Sequence, residues 1–167
     1  MQPLVSNQSH RHRPTARRFR RTPGFTIVEL LLTLAIFSIL VGVGYSSYGT
    51  VLERNRNAAV VNDLTRIKFA IERFRSVNDE LPTTLAAIGM DGMRDPWGHS
   101  YAYLNFETVH GNGQKRKDHD LVPINTEYDL YSKGPDGRSA SALTAAISKD
   151  DIIVANDGAY IGRASEY

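Results

Sequence analysis

Cysteine is missing altogether from these 167 residues. Disulfide staples, catalytic thiols and thiolate metal sites are thereby excluded. No nucleophile–base–acid arrangement and no phosphate-cradling glycine loop can be read from the chain, so no enzyme is expected. There is no internal repeat and no low-complexity segment. Acidic residues are lacking from the first 24 positions, which instead hold Arg11, Arg13, Arg17, Arg18, Arg20 and Arg21. The formal charge of +2 therefore divides into +6 for residues 1–24 and −4 for residues 25–167. The basic character belongs to the leading segment and carries no message about nucleic acid. The run Lys115–Lys117 stands beside Asp118 and Asp120 and reads as a solvated loop rather than a nucleic-acid contact. His99, His110 and His119 show no regular metal-ligand spacing and read as surface residues.

What is present is a long apolar stretch from Gly24 to Tyr45. About twenty mostly apolar residues are what a helix needs to cross a hydrocarbon core of roughly 30 Å. Arginines just ahead of such a helix hold that end in the cytoplasm, which predicts a body on the far side of the membrane. An ordinary secretory signal has a shorter apolar core and a small-residue cleavage site, and Arg17-Arg18 is better explained as part of a generic basic leader than as a twin-arginine signal. One residue disturbs the picture of a plain anchor. Glu29 places a carboxylate inside the apolar run, at a cost of roughly 2.5–3.5 kcal/mol on insertion scales, and so implies a partner.

Helical periodicity continues beyond the apolar run. Val60, Leu64, Ile67, Ile71 and Phe74 fall on one helix face, with charged residues filling the rest. The pattern predicts one nearly continuous helix from Phe25 to Val77, on the order of 80 Å long. Its first half is apolar all round and its second half amphipathic. Gly42, Gly44 and Gly49 soften the middle, each costing roughly 0.8–1.0 kcal/mol relative to alanine. The remainder predicts a small α+β body. Leu81-Pro82-Thr83-Thr84-Leu85 turns the chain into a short helix, with Thr83 or Thr84 as N-cap. Asp95-Pro96-Trp97-Gly98 is a turn; Tyr101–Phe106, Glu127–Ser132 and Ile152–Val154 read as strands.

The basic leader, then Gly24-Phe25-Thr26-Ile27-Val28-Glu29, then an apolar helix, resembles the class III signal of type IV pilins and type II secretion pseudopilins. The resemblance implies that a prepilin peptidase cuts after Gly24 and methylates the new N-terminal residue, Phe25. It also implies that Glu29 neutralises the buried Phe25 amine of a neighbouring subunit, and a buried charge is tolerable mainly when paired. In the body, LPTTLAAIG, DPWGHSYAY and YDLYSKGPDG followed by KDDI occur in the order found in G-type pseudopilins, so that the likeness spans roughly residues 24–153. Family members commonly carry a proline about twenty residues after the cut, where this chain has Ser46.

The resemblance implies three segments. Residues 1–24 are a leader to be removed, 25–48 a transmembrane and filament-core helix, and 49–167 the second half of the helix with the α+β body. It implies a structural subunit of the type II secretion pseudopilus: a helical homo-oligomer working with minor pseudopilins and an inner-membrane secretion platform. Before assembly the subunit would sit in inner-membrane lipid with its body in the periplasm. The alternative is a type IV pilin or minor pilin for adhesion, twitching or DNA uptake.

A calcium expectation comes from the same source. Asp136, Asp150 and Asp151 flank a loop rich in small residues, and Ca²⁺ takes six to eight oxygens that mix carboxylates with carbonyls. Taken alone, Pro135-Asp136-Gly137 reads as a simple turn. The resemblance implies ligands at the Lys133 carbonyl, Asp136, Asp150 and Asp151. Residues 137–149 put thirteen positions between the two ligand groups, more than the family's usual loop.

Overall fold

The computed structural model describes residues 24–167, so the leader lies outside the described residues except for Gly24. The chain divides into two compact units, with the division between Val43 and Gly44. A single helix, α1 (Ile27–Asn78), starts in the first and ends in the second, close to the predicted Phe25–Val77. It is helical throughout, including Gly42, Gly44, Ser46 and Gly49.

In the first unit every described residue is exposed. Phe25 is 76% exposed, and Leu30, Leu34 and Phe37 each exceed 60%. The few hydroxyls here are turned back onto their own helix. Thr33 Oγ1 donates to the Leu30 carbonyl at 2.9 Å and Ser38 Oγ to the Leu34 carbonyl at 2.8 Å. That arrangement leaves the surrounding medium with almost only hydrocarbon to meet, as a lipid-facing helix requires. The helix is long and apolar enough to cross a membrane.

The second unit is built on a four-stranded antiparallel sheet of order β1-β2-β3-β4. Its strands are β1 (Ala102–Asn105), β2 (Tyr128–Ser132), β3 (Ile152–Ala155) and β4 (Tyr160–Arg163). Tyr103 pairs with Leu130, Tyr131 with Ile153 and Val154 with Ile161. Because side chains alternate along a strand, the two faces have separate tasks. Tyr128, Leu130, Ile152 and Val154 pack on Val60, Leu64, Ile67 and Ile71, four helix residues with 0% exposure. Ile153 and Ala155 face the other way, into a smaller cluster with Ile124, Leu143 and Ala164. Long connections cover this second face, which is why all four residues of β3 are buried.

Two local expectations need correction. The predicted short helix is a 3₁₀ turn, Leu85–Ile88, and Thr84 at its N-cap makes no side-chain capping bond. The strand expected at Tyr101–Phe106 ends at Asn105, whose buried side chain accepts a hydrogen bond from the Glu107 N–H at 2.9 Å and starts a 3₁₀ turn. β4 was not anticipated. At that edge Gly162 leaves room for the Tyr160 phenol, which lies 2.7 Å from where a β-carbon would sit and donates to the Arg163 carbonyl.

Candidate functional site: the helix start and the loop between the paired motifs

Two regions carry the candidate residues. At the first, Gly24, Phe25 and Thr26 form an exposed, non-helical lead into α1, and among the described residues nothing lies within 4 Å of where a Gly24 β-carbon would sit. Thr26 and Glu29 then close a reciprocal cap. The Glu29 N–H donates to Thr26 Oγ1 at 3.2 Å, while Glu29 Oε2 accepts from the Thr26 N–H at 3.1 Å and from its hydroxyl at 2.9 Å. This is the Thr-x-x-Glu capping box, which satisfies two of the donors that any helix start leaves open. The motif is visible in the sequence, although its intra-helical role was not anticipated. Both partners lie after the Gly24–Phe25 bond, so a cut there leaves the cap intact.

The second region is the 133–151 loop and its surroundings, where two of the recognised motifs meet. The buried Asp95 of DPWGH accepts from the N–H groups of Trp97 (3.1 Å) and His99 (2.8 Å) through Oδ1, and from the Ser132 hydroxyl through Oδ2 at 2.7 Å. Ser132 Oγ in turn accepts from the Gly134 N–H at 3.1 Å. His99 Nδ1 donates to the Gly134 carbonyl at 2.9 Å, since a carbonyl can only accept. His99 is therefore half-buried and holds the turn, in contrast to the surface role read for it; His110 and His119 are exposed. Gly134, at φ +64°, meets Asp150 so closely that a β-carbon would stand 2.5 Å from the Asp150 carbonyl oxygen.

The proposed calcium donors are distributed unevenly. Asp136 is exposed and caps its own turn, its Oδ1 accepting from the Arg138 N–H at 2.7 Å. Asp150 Oδ2 lies 3.5 Å from the Asp136 N–H. Asp151 is fully buried and differently engaged. Its Oδ2 takes the Arg116 guanidinium at 2.5 Å and the Ser139 hydroxyl at 2.6 Å. Among the described residues, the carboxylates of Asp136, Asp150 and Asp151 do not gather within 4.8 Å of one another, whereas the ligand atoms of Asp118, His119 and Asp120 do. Even in that trio His119 and Asp120 are exposed, and Asp118 Oδ1 is taken by the N–H groups of Asp120 and Val122. Calcium needs six to eight oxygens, and a carboxylate already neutralised by an arginine is a poor contributor. The donor set around Lys133, Asp136, Asp150 and Asp151 does not fit a calcium cage as it stands.

Arg116 is the residue that sequence reading missed most completely. It is 2% exposed in the middle of what reads as a solvated basic run. Its N–H donates to Asp129 Oδ2 at 2.6 Å, its guanidinium stacks 4.2 Å from the Tyr131 ring centroid, and it also bonds Ser139 Oγ. Lys115 and Lys117 on either side are partly exposed, and nothing in three consecutive basic residues marks the middle one for burial. Beside it, Asp129 accepts from Asn125 Nδ2 at 3.1 Å. Burial pushes the Asp129 carboxyl above the usual range, although the hydrogen bonds from Arg116 and Asn125 pull it back. Asp151 is likewise pushed up by burial, against the pull of Ser139 and Arg116.

With this geometry in place, comparison with known proteins gives one finding. The prokaryotic N-terminal methylation motif matches residues 19–45, which covers the helix start and most of the exposed apolar run. No curated protein and no solved structure matches the chain. The α+β architecture, a long N-terminal helix with a small four-stranded antiparallel sheet, is pilin-like. The matched segment is a type IV pilin-like prepilin signal, and its motif supports the type IV pilin-like family.

Proposed function

We propose that the chain is a structural subunit of a type II secretion pseudopilus. In this reading prepilin peptidase cuts after Gly24 and methylates Phe25. The subunit then waits in the inner membrane, body in the periplasm, until it is drawn into a helical filament whose growth drives folded proteins across the outer membrane. The observation that carries the reading is Glu29, an acid at the third residue of α1 within the mostly apolar, exposed segment 27–43, shortly after the exposed Gly24–Phe25 bond. The choice of pseudopilus over pilus rests on the body motifs. DPWGH and YDLYSKGPDG, the pair that resembles G-type pseudopilins, are joined here by the Asp95–Ser132 and His99–Gly134 hydrogen bonds.

The test has three arms. Intact-mass measurement of protein from cells with the cognate peptidase should give a chain beginning at N-methylated Phe25; retention of Met1 or a cut elsewhere removes the reading. In the same cells, Glu29→Gln should still insert, since it removes a buried charge, while filament yield drops sharply because the neighbouring amine lacks its counter-charge. Deletion of the gene should strand exported proteins in the periplasm. Loss of surface pili with secretion intact would favour the pilin alternative.

A further inference from the structure

We infer that Arg116 is a built-in cation that closes the 133–151 loop on the body, so that the loop does not depend on a bound metal. Three observations converge. First, the guanidinium lies against Asp151, one of the carboxylates a divalent ion would need, and bonds Ser139 from within the inserted segment 137–149. One side chain therefore links the insertion to the start of β3. Second, Arg116 is itself anchored on both sides: its N–H by Asp129 on β2, its plane by the Tyr131 ring. A planar, permanently charged fork is suited to such multi-point bonding, where a flexible ammonium is not. Third, the inserted segment is packed rather than merely spanned. The Lys117 N–H donates to the Ser141 carbonyl at 2.8 Å, and the Leu143 N–H to the Lys117 carbonyl at 2.9 Å. Leu143 enters the second core cluster, and buried Ser148 exchanges hydrogen bonds with the Ala140 backbone at 2.8 and 3.1 Å.

The basic run and the insertion are thus two halves of one device. Lys115–Lys117 supplies a rail along which residues 139–143 lie, and the central arginine turns inward to meet the acid. The guanidinium already neutralises the Asp151 carboxylate through Oδ2, so a calcium ion drawn to Asp151 would meet a fixed positive charge beside it.

The experiment uses the full-length protein in detergent micelles. Trp97 is the chain's sole tryptophan and reports unfolding next to the Asp95–Ser132 junction. Melting in millimolar calcium and in chelator should agree within about 1 °C, whereas a folded-state ligand at a hundredfold excess over Kd would raise it by roughly 10 °C. A calcium-dependent rise of several degrees overturns the inference, and this arm needs no variant that might misfold. Arg116→Met should lower melting and open the loop to trypsin at Arg138 and Lys149, with cleavage there about tenfold faster at temperatures where β-structure persists by circular dichroism. Adding Asp151→Asn to Arg116→Met should recover part of the loss, because the second change removes the orphaned charge. Loop cleavage unchanged in Arg116→Met, or calcium protecting the wild-type loop from trypsin, overturns it equally.

Discussion

Residues 27–43 and residues 60–71 belong to the same helix, yet their apolar side chains meet opposite conditions. Leu30, Leu34 and Phe37 are 62%, 62% and 64% exposed, while Leu64, Ile67 and Ile71 have no exposed surface. The difference lies in patterning. In the first segment apolar residues occupy every face, so no single sheet could cover them, and the segment suits hydrocarbon or other helices. In the second they recur every three or four residues, and a sheet face of Tyr128, Leu130, Ile152 and Val154 is enough to bury them. One backbone geometry thereby serves two solvents, and the body's stability should be indifferent to changes in the first segment.

That contrast can be broken or sharpened. The largest expected effect is Leu64→Ala, which should destabilise the body by about 2–5 kcal/mol and lower its melting by roughly 10 °C or more, read from Trp97 fluorescence. Leu34→Ala should leave that melting point unchanged. Equal shifts from both would mean that the exposed segment helps to hold the body.

A smaller effect concerns acid inside the body. Because burial raises the folded-state pKa of Asp129, its contribution is fully present below the ordinary aspartate value and is lost as pH rises through the raised one. Asp129→Asn should therefore trail wild type most at the acid end, with the gap in melting temperature narrowing toward neutral pH. Lys115, Arg116 and Asn125 face this carboxyl and oppose the shift, so a gap that widens with pH would mean that they outweigh burial. Arg75→Gln should do least. The Arg75–Glu127 pair is short, at 2.6 Å, but both side chains are at least 40% exposed, and surface pairs contribute little. Its small effect on melting should vanish in high salt.

The sequence made the helix legible because its signal is one-dimensional: a period and a change of period at the point where apolar residues retreat to one face. Among the three predicted strands, Tyr101–Phe106 shows itself by alternation and Ile152–Val154 as a short apolar run. β4 does not, since Tyr160-Ile161-Gly162-Arg163 offers no alternation of apolar and polar residues and owes its place to pairing with β3. Residues whose roles depend on distant partners were equally hidden. Arg116 reads as surface until Asp151, thirty-five positions later, is brought beside it. His99 likewise becomes a tie only when the Gly134 carbonyl arrives. The Thr26–Glu29 cap is the opposite case, for both partners lie within a single turn and the signature was on the page.

The sheet's two edges carry a further consequence. β1 and β4 are only four residues long, and on β4 the Tyr160 phenol already occupies the Arg163 carbonyl. An open edge of unpaired backbone is a template on which another chain can add a strand. Molecules held at high local density, as membrane-bound copies are, meet that hazard continually. Short margins, one of them partly closed from within, offer too few rungs for such knitting, so copies can crowd together while each sheet stays its own.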